Sequence, residues 1–314
     1  MMRYVDPETV HNLLDWTSTI AALREAHRGE VPKTGRVTLE ETRMGEQPNI
    51  LLTIPTWQPG KAIGVKLVTS FPGNVEHHGL PTVNAIYVVF HPVTGVPQAI
   101  IDGEALIFRK TAADSALGAS YLARDDVQTL LMIGAGALAP YLVRAHMSVR
   151  PSIRRVRIWN RTFQRAEALS AQLQAEGIDA EATVDLEGAI GAADIISSAT
   201  MAEEPLVKGE LVKPGTHVDL VGSFTPSMRE ANDEMLKRAL IFVDTYGCLE
   251  RSGEFIEPMA REVISKDDIQ ADLFALCHGR HMGRVSANEI TMYKNAGAGH
   301  LDLFVAHHLM QRLG

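Results

Sequence analysis

The chain is poor in cysteine, in aromatic residues and in positive charge, and each shortage removes a class of protein. Two cysteines, Cys248 and Cys277, among 314 residues are too few for a disulfide framework and lack metal-ligand spacing. They read as structural thiols in a reducing compartment, so the cytoplasm is the expected location and no metal is expected. Thirty Lys and Arg against thirty-eight Asp and Glu give a net charge of −8. No general positive field therefore exists to gather nucleic acid or an anionic membrane. No apolar run of about 18 residues occurs, and the opening MMRYVDPETVHNLL holds no apolar core of leader length. What is present, 46% hydrophobic and 22% charged residues, is the composition of a globular chain long enough for two cores.

The texture changes along the chain. PETVHNLLDWTSTIAALREAHRGE places Val10, Leu13, Leu14, Ile20 and Leu23 at helical spacing, with Pro7 suited to a first turn, and reads as an amphipathic helix. From Gly35 short β-like runs follow: RVTLEETR, NILLTIPTW, AIGVKLVTSF, VNAIYVVFHP and QAIIDGEALIF. Pro, Gly and Asn break them at short intervals, which predicts a largely antiparallel sheet with local connections. TAADSALGASYLAR then reads as a helix of small residues. Beyond Val127 apolar runs alternate with helical stretches: VQTLLMIG, APYLVRAHMSV, VRIWN, RAEALSAQLQAEG, ADIISSA, HVDLVGS and LIFVDT. Runs without clean alternation, separated by helices, predict parallel strands buried on both faces. The expected fold class is α/β: a doubly wound nucleotide-binding domain over residues 121–296, and a β-rich α+β domain over residues 1–120. A C-terminal helix over 297–314 is expected to return to the latter.

The strand LLMI runs directly into Gly134-Ala135-Gly136-Ala137-Leu138-Ala139 and then into a helix, which is G-x-G-x-x-A in strand-turn-helix context. Gly134 permits the tight turn, Gly136 lets a pyrophosphate approach the backbone, and Ala139 seats the helix close to the sheet. The helix N-terminus supplies free N–H groups for the phosphates. About 20 residues on, where an NAD site usually carries a carboxylate for the ribose, the strand VRIW delivers Asn160-Arg161-Thr162. A guanidinium beside an amide and a hydroxyl suits a ribose 2′-phosphate, so NADP is favoured, with NAD as the alternative.

With that turn following a β-rich segment, further phrases fall into a known order: GVKLVTSFPGN, GLPTVNA, IDGEALIFRKTAADSAL, PGTHVDLVGSFTPSMRE and ITMYKNAGAGHLDL. Together they resemble the ornithine cyclodeaminase/mu-crystallin family. The resemblance implies a Rossmann domain, a homodimer formed through the β-rich domains, and an active site in the cleft between the domains of each chain. Lys66 then matches the family's carboxylate-binding lysine and is the candidate catalytic residue. Arg36 matches a second cation on the same group, and Lys110 takes the place of a family arginine. Implied cofactor contacts come from Thr111, the turn residues 134–138, Asn160, Arg161, Thr162, Ser198, Ala199, Thr200, Gly222, Asn295 and Gly297. Asp302 matches a frequent acid of the last helix, expected to be structural.

The departure that bears on chemistry is Phe224. Cyclodeaminases and archaeal alanine dehydrogenases of the family carry a catalytic aspartate there, which can hold a substrate amine and accept its proton. Phenylalanine offers only an apolar wall, so Phe224 is a candidate substrate-binding residue facing a ring with few polar groups. Reduction of a cyclic ketimine needs no strong general acid, because the protonated C=N is already electrophilic. The expected activity is NADPH-dependent reduction of 1-pyrroline-2-carboxylate or 1-piperideine-2-carboxylate to proline or pipecolate. The alternatives are an ornithine cyclodeaminase, an alanine-type dehydrogenase, or a non-catalytic nucleotide-dependent binding protein. Glu76, His77 and His78 read as a polar loop.

Overall fold

The computed structural model describes residues 2–42 and 47–314. Along the chain run β1 (Arg3–Val5), α1 (Pro7–Leu13), α2 (Trp16–Ala26), β2 (Lys33–Thr34), β3 (Val37–Glu41), β4 (Asn49–Gln58), β5 (Ala62–Ser70), α3 (Asn74–His78), β6 (Val83–Phe90), β7 (Pro97–Asp102) and α4 (Gly103–Leu122). There follow β8 (Thr129–Ile133), α5 (Ala139–Val149), β9 (Arg155–Trp159), α6 (Phe163–Ala175), β10 (Ala180–Ala182), α7 (Leu186–Ala192) and β11 (Ile195–Ser198). The remainder is β12 (His217–Leu220), α8 (Asp233–Arg238), β13 (Leu240–Val243), α9 (Gly253–Ala260), β14 (Ile269–Asp272), α10 (Leu273–Cys277), β15 (Thr291–Lys294) and α11 (Gly299–Leu313). Two compact units result, Met1–Lys110 with Ala298–Gly314 and Thr111–Gly297. The division falls earlier than the change in texture near residue 120, because α4 runs through it unbroken. Its second half is tied into the second unit by Asn295, which donates to the Thr111 carbonyl and to Ser115 Oγ, both at 2.9 Å.

In the first unit the strand order is β1-β7-β6-β5-β4-β2, with β3 also on β4. All pairs are antiparallel except β1 with β7. Register decides which side chains share a face. Ile54, Lys66, Tyr87 and Ile101 stand in one row across β4, β5, β6 and β7, and α11 packs on that face of β4, β5 and β6. The opposite face carries Leu39 opposite Leu51, together with Val37 and Ile86, all exposed.

Three local readings change. The N-terminal helix is two helices, since the Asp15 carboxylate accepts the Ser18 N–H at 2.9 Å and starts α2 afresh. The run QAIIDGEALIF is half strand and half helix, because Asp102 takes the Ala105 N–H at 2.8 Å and opens α4. Glu76, His77 and His78 lie on the single turn α3, stopped by Gly79 in the left-handed conformation, rather than in a loop. The run RVTLEETR forms β3 as far as Glu41, and its last residue, Arg43, lies outside the described residues.

The second unit is a parallel sheet ordered β10-β9-β8-β11-β12-β15-β13-β14. Of its central strands β8 is apolar on both faces, with Leu130, Leu131, Met132 and Ile133 all at 0% exposure. Each such burial stabilises by roughly 1.5–3 kcal/mol before entropy is counted. The chain leaves β8 toward β9 on one side and reaches β11 on the other. The switch point therefore lies beyond the C-terminal ends of β8 and β11, where open parallel sheets bind ligands.

Candidate functional site

At that switch point sits the glycine turn. Gly134 has φ of 101°, and a side-chain carbon on it would come within 2.7 Å of the Ala199 carbonyl. Glycine is required there on both counts. The turn is pinned by Gly134 N–H to the Trp159 carbonyl at 2.8 Å and by Ala199 N–H to the Ile133 carbonyl at 2.9 Å. Ser198, the last residue of β11, and Ala199 and Thr200 after it thus lie directly beside the turn. Gly136 and Ala137 are exposed and Ala139 is buried, so the outer rim is open while α5 sits close to the sheet.

Asn160 is committed to the turn at both ends of its amide: Oδ1 accepts the Ala135 N–H at 3.1 Å and Nδ2 donates to the Thr162 carbonyl at 2.8 Å. Arg161 and Thr162 are exposed, and no hydrogen bond or ion pair engages the Arg161 guanidinium among the described residues. A backbone cradle at a helix N-terminus, with a basic residue at the end of the second strand, fits an anionic dinucleotide.

Lys294, Asn295 and Gly297 close the same unit. Asn295 Oδ1 is buried and has no partner among the described residues, whereas its Nδ2 is fully used. Lys294 is wholly buried, donating to the Leu220 carbonyl at 3.2 Å and to the Gly222 carbonyl. Beyond Gly222 the chain turns through Ser223, whose φ is 49°, and presents Phe224 at 56% exposure. The nearby carboxylates face inward: Glu254 accepts from Ser223 Oγ, and Glu230 from Ser198 and Thr200.

The first unit gathers cations on its covered sheet face. Lys66 Nζ lies 3.4 Å from Asp302 Oδ1, and Lys110 Nζ lies 3.8 Å from Asp302 Oδ2, with all three side chains largely buried. Burial pulls the Lys66 ammonium below the ordinary lysine value; Asp302 opposes that, and the charges of Lys110 and Arg36 add to it. Burial, and next the Asp302 charge, push the Tyr87 phenol well above its usual range. Arg109, beside Lys110 in sequence, turns elsewhere, stacking on Trp16 and donating to the His11 carbonyl at 2.9 Å.

The sequence reading passed over Asp219. It is fully buried on β12 and accepts from Ser115 Oγ and Ser197 Oγ at 2.8 Å and from His146 Nε2 at 3.1 Å. A charge between Val218 and Leu220 is a signal of the same kind as Lys66 between Val65 and Leu67, a charged side chain in an apolar strand that calls for a partner. Glu230 and Glu254 gave no such signal, because their partners lie 23 to 32 residues away.

A parallel sheet with a glycine turn at its switch point defines a Rossmann-type dinucleotide-binding protein. The ornithine cyclodeaminase/mu-crystallin family model matches residues 3–313, and the chain belongs to that family. It is 41% identical to the Delta(1)-pyrroline-2-carboxylate reductase of Paracoccus denitrificans, over 94% of this chain and 92% of that one. Among solved structures it resembles the Thermococcus litoralis Delta(1)-pyrroline-2-carboxylate reductase in complex with NADH and L-proline. There the TM-score is 0.91 at 28% identity, covering 99% of this chain and 97% of that one. An archaeal alanine dehydrogenase dimer with bound NAD gives 0.88, also at 28% identity, covering 99% and 95%.

Proposed function

We propose that the chain is an NADPH-dependent reductase of cyclic imino acids, forming proline from 1-pyrroline-2-carboxylate or pipecolate from 1-piperideine-2-carboxylate. It is an NAD(P)-dependent oxidoreductase acting on the carbon–nitrogen bond. The observation that carries the narrower reading is Phe224, exposed on the turn after β12 while Glu230 and Glu254 point into the protein. That turn offers an apolar surface where a deaminase needs a carboxylate.

The nicotinamide, when bound, supplies the hydride. Gly134 to Leu138 and the α5 N-terminus would hold the diphosphate, and Arg161 the ribose 2′-phosphate, with Asn160 fixing the turn. Ser198 to Thr200, Thr111, Gly222, Asn295 and Gly297 would hold the rest of the cofactor, Asn295 offering its unpartnered oxygen to a donor. Lys66, with Arg36 and Lys110, binds the substrate carboxylate, and Phe224 covers the ring and excludes water. The imine nitrogen arrives protonated and keeps that proton as carbon is reduced, so no residue need supply one. The exposed apolar row of Val37, Leu39, Leu51 and Ile86 is the surface on which a second copy would pack.

The test is NADPH oxidation by purified protein with five- and six-membered cyclic ketimines, pyruvate plus ammonia, and ornithine. Reduction of a ketimine with little ammonia from ornithine is expected. Rapid ammonia release with ketimines untouched would overturn the reading, and turnover of none of the four would favour a binding protein.

A further inference from the structure

Glu230 lies wholly buried in the second unit and joins two loops that carry candidate site residues. Its Oε1 accepts from Ser198 Oγ at 2.6 Å, from the Thr200 N–H at 2.8 Å and from Thr200 Oγ1 at 3.0 Å. The same carboxyl abuts Gly222, where a side-chain carbon would come within 2.6 Å of it. Only glycine lets the 222–224 turn approach so closely.

Two further buried charges complete the assembly. The Glu230 and Ala231 N–H groups donate to the Glu254 carboxylate at 3.0 and 2.9 Å, and Glu254 also takes Ser223 Oγ at 2.8 Å. On β15, Lys294 holds the carbonyls of Leu220 and Gly222. The 198–200 and 222–224 segments are therefore fastened to one another through charged groups that never reach solvent.

Three donors on one oxygen are held tightly only while that oxygen carries charge. A neutral acid keeps the shape and loses much of the grip. Burial pushes Glu230 up to about 7, with Lys294 and the Ser198 and Thr200 hydrogen bonds opposing and Glu254 adding to the rise. Lys294 and Glu254 are the charged groups facing it, from β15 and α9.

We propose that Glu230 is a positioning residue for the nicotinamide cofactor: ionised, it fixes the Ser198–Thr200 loop in its binding shape, and protonated, it lets that loop relax. The inference rests on the reading above that this loop touches the cofactor.

The experiment is the Kd of NADH, which has no group titrating between pH 6 and 8.5, measured by fluorescence across that interval. In the wild type, Kd rises about tenfold as pH falls from 8 to 6, following a single group near neutrality. In Glu230→Gln the profile is flat, at about the wild-type value of pH 6. A flat wild-type profile, or a Glu230→Gln profile with the wild-type slope, overturns the inference. Should Glu230→Gln not fold, Ser198→Ala decides, because losing a donor to the ionised form moves the midpoint upward, and an unmoved midpoint overturns the proposal. A wild type that binds neither NADH nor NADPH at any pH overturns the cofactor reading itself.

Discussion

Asp219 of the second unit and Asp302 of the first are both buried carboxylates, and their surroundings treat them in opposite ways. Asp219 receives three hydrogen bonds, two from serine hydroxyls and one from His146. Among the described residues neither Asp302 oxygen receives a well-aligned hydrogen bond, and the carboxylate faces two ammonium groups at 3.4 and 3.8 Å. The first is a carboxylate whose three donors come from α4, β11 and α5, so its charge is spent on holding strands and helices together. The second is a cluster with more positive charge than its one carboxylate can balance, and surplus charge inside a protein is what recruits an anion.

That contrast breaks most directly at Asp219. Asp219→Ala strands three buried donors and should cost about 3–5 kcal/mol of stability, read from urea unfolding. A loss under about 1 kcal/mol would mean that this carboxylate does little for the fold. Surplus charge in the second unit is tested at Arg161. Arg161→Ala should shrink the preference for NADPH over NADH by about ten- to a hundredfold in Kd with the fold unchanged; equal wild-type affinities would end the argument. In the first unit, Lys66→Met keeps apolar volume and deletes charge while Lys110 stays beside Asp302, so the fold should survive while kcat/KM for an imino acid drops at least about tenfold. If kcat/KM is unmoved, the carboxylate is bound elsewhere.

The finest test is pH. Lys66 has its folded-state value lowered, chiefly by burial, so the unfolded chain holds that proton to higher pH than the native one. The charged lysine consequently costs stability below its folded value, and the cost is relieved as pH rises through it. Substrate affinity runs the other way: KM should climb with pH, at a midpoint below that of an ordinary lysine. Asp302→Asn removes the opposing charge and should move that midpoint lower still. A midpoint that stays put would show that Asp302 does not set the charge on Lys66.

Much of this was legible in the sequence where chemistry is local. The glycine turn needs only six consecutive residues, and Lys66 declares itself by its apolar flanks. What stayed hidden depends on distance along the chain. Asp302 meets Lys66 and Lys110 only because α11 returns to the sheet, and Glu230 reaches Ser198 and Thr200 across intervening strands and loops. Strand signals also fail in short or mixed segments: β10 has three residues, and β15 carries a buried lysine that no pattern of hydrophobicity marks. The break between α1 and α2 turns on one aspartate used as a cap, which helical spacing alone does not reveal.

The first unit is written in two pieces, with the whole second unit spelled out between them. A ribosome adding 5–20 residues per second would spend roughly 10–40 s on the Thr111–Gly297 stretch before reaching α11. Until then the sheet face bearing Ile54, Lys66, Tyr87 and Ile101 waits without its covering helix, while the contiguous second unit already has every strand it needs. Released chains that end just short of Ala298 should consequently carry every strand of the nucleotide domain and an open, chaperone-seeking sheet in the first unit.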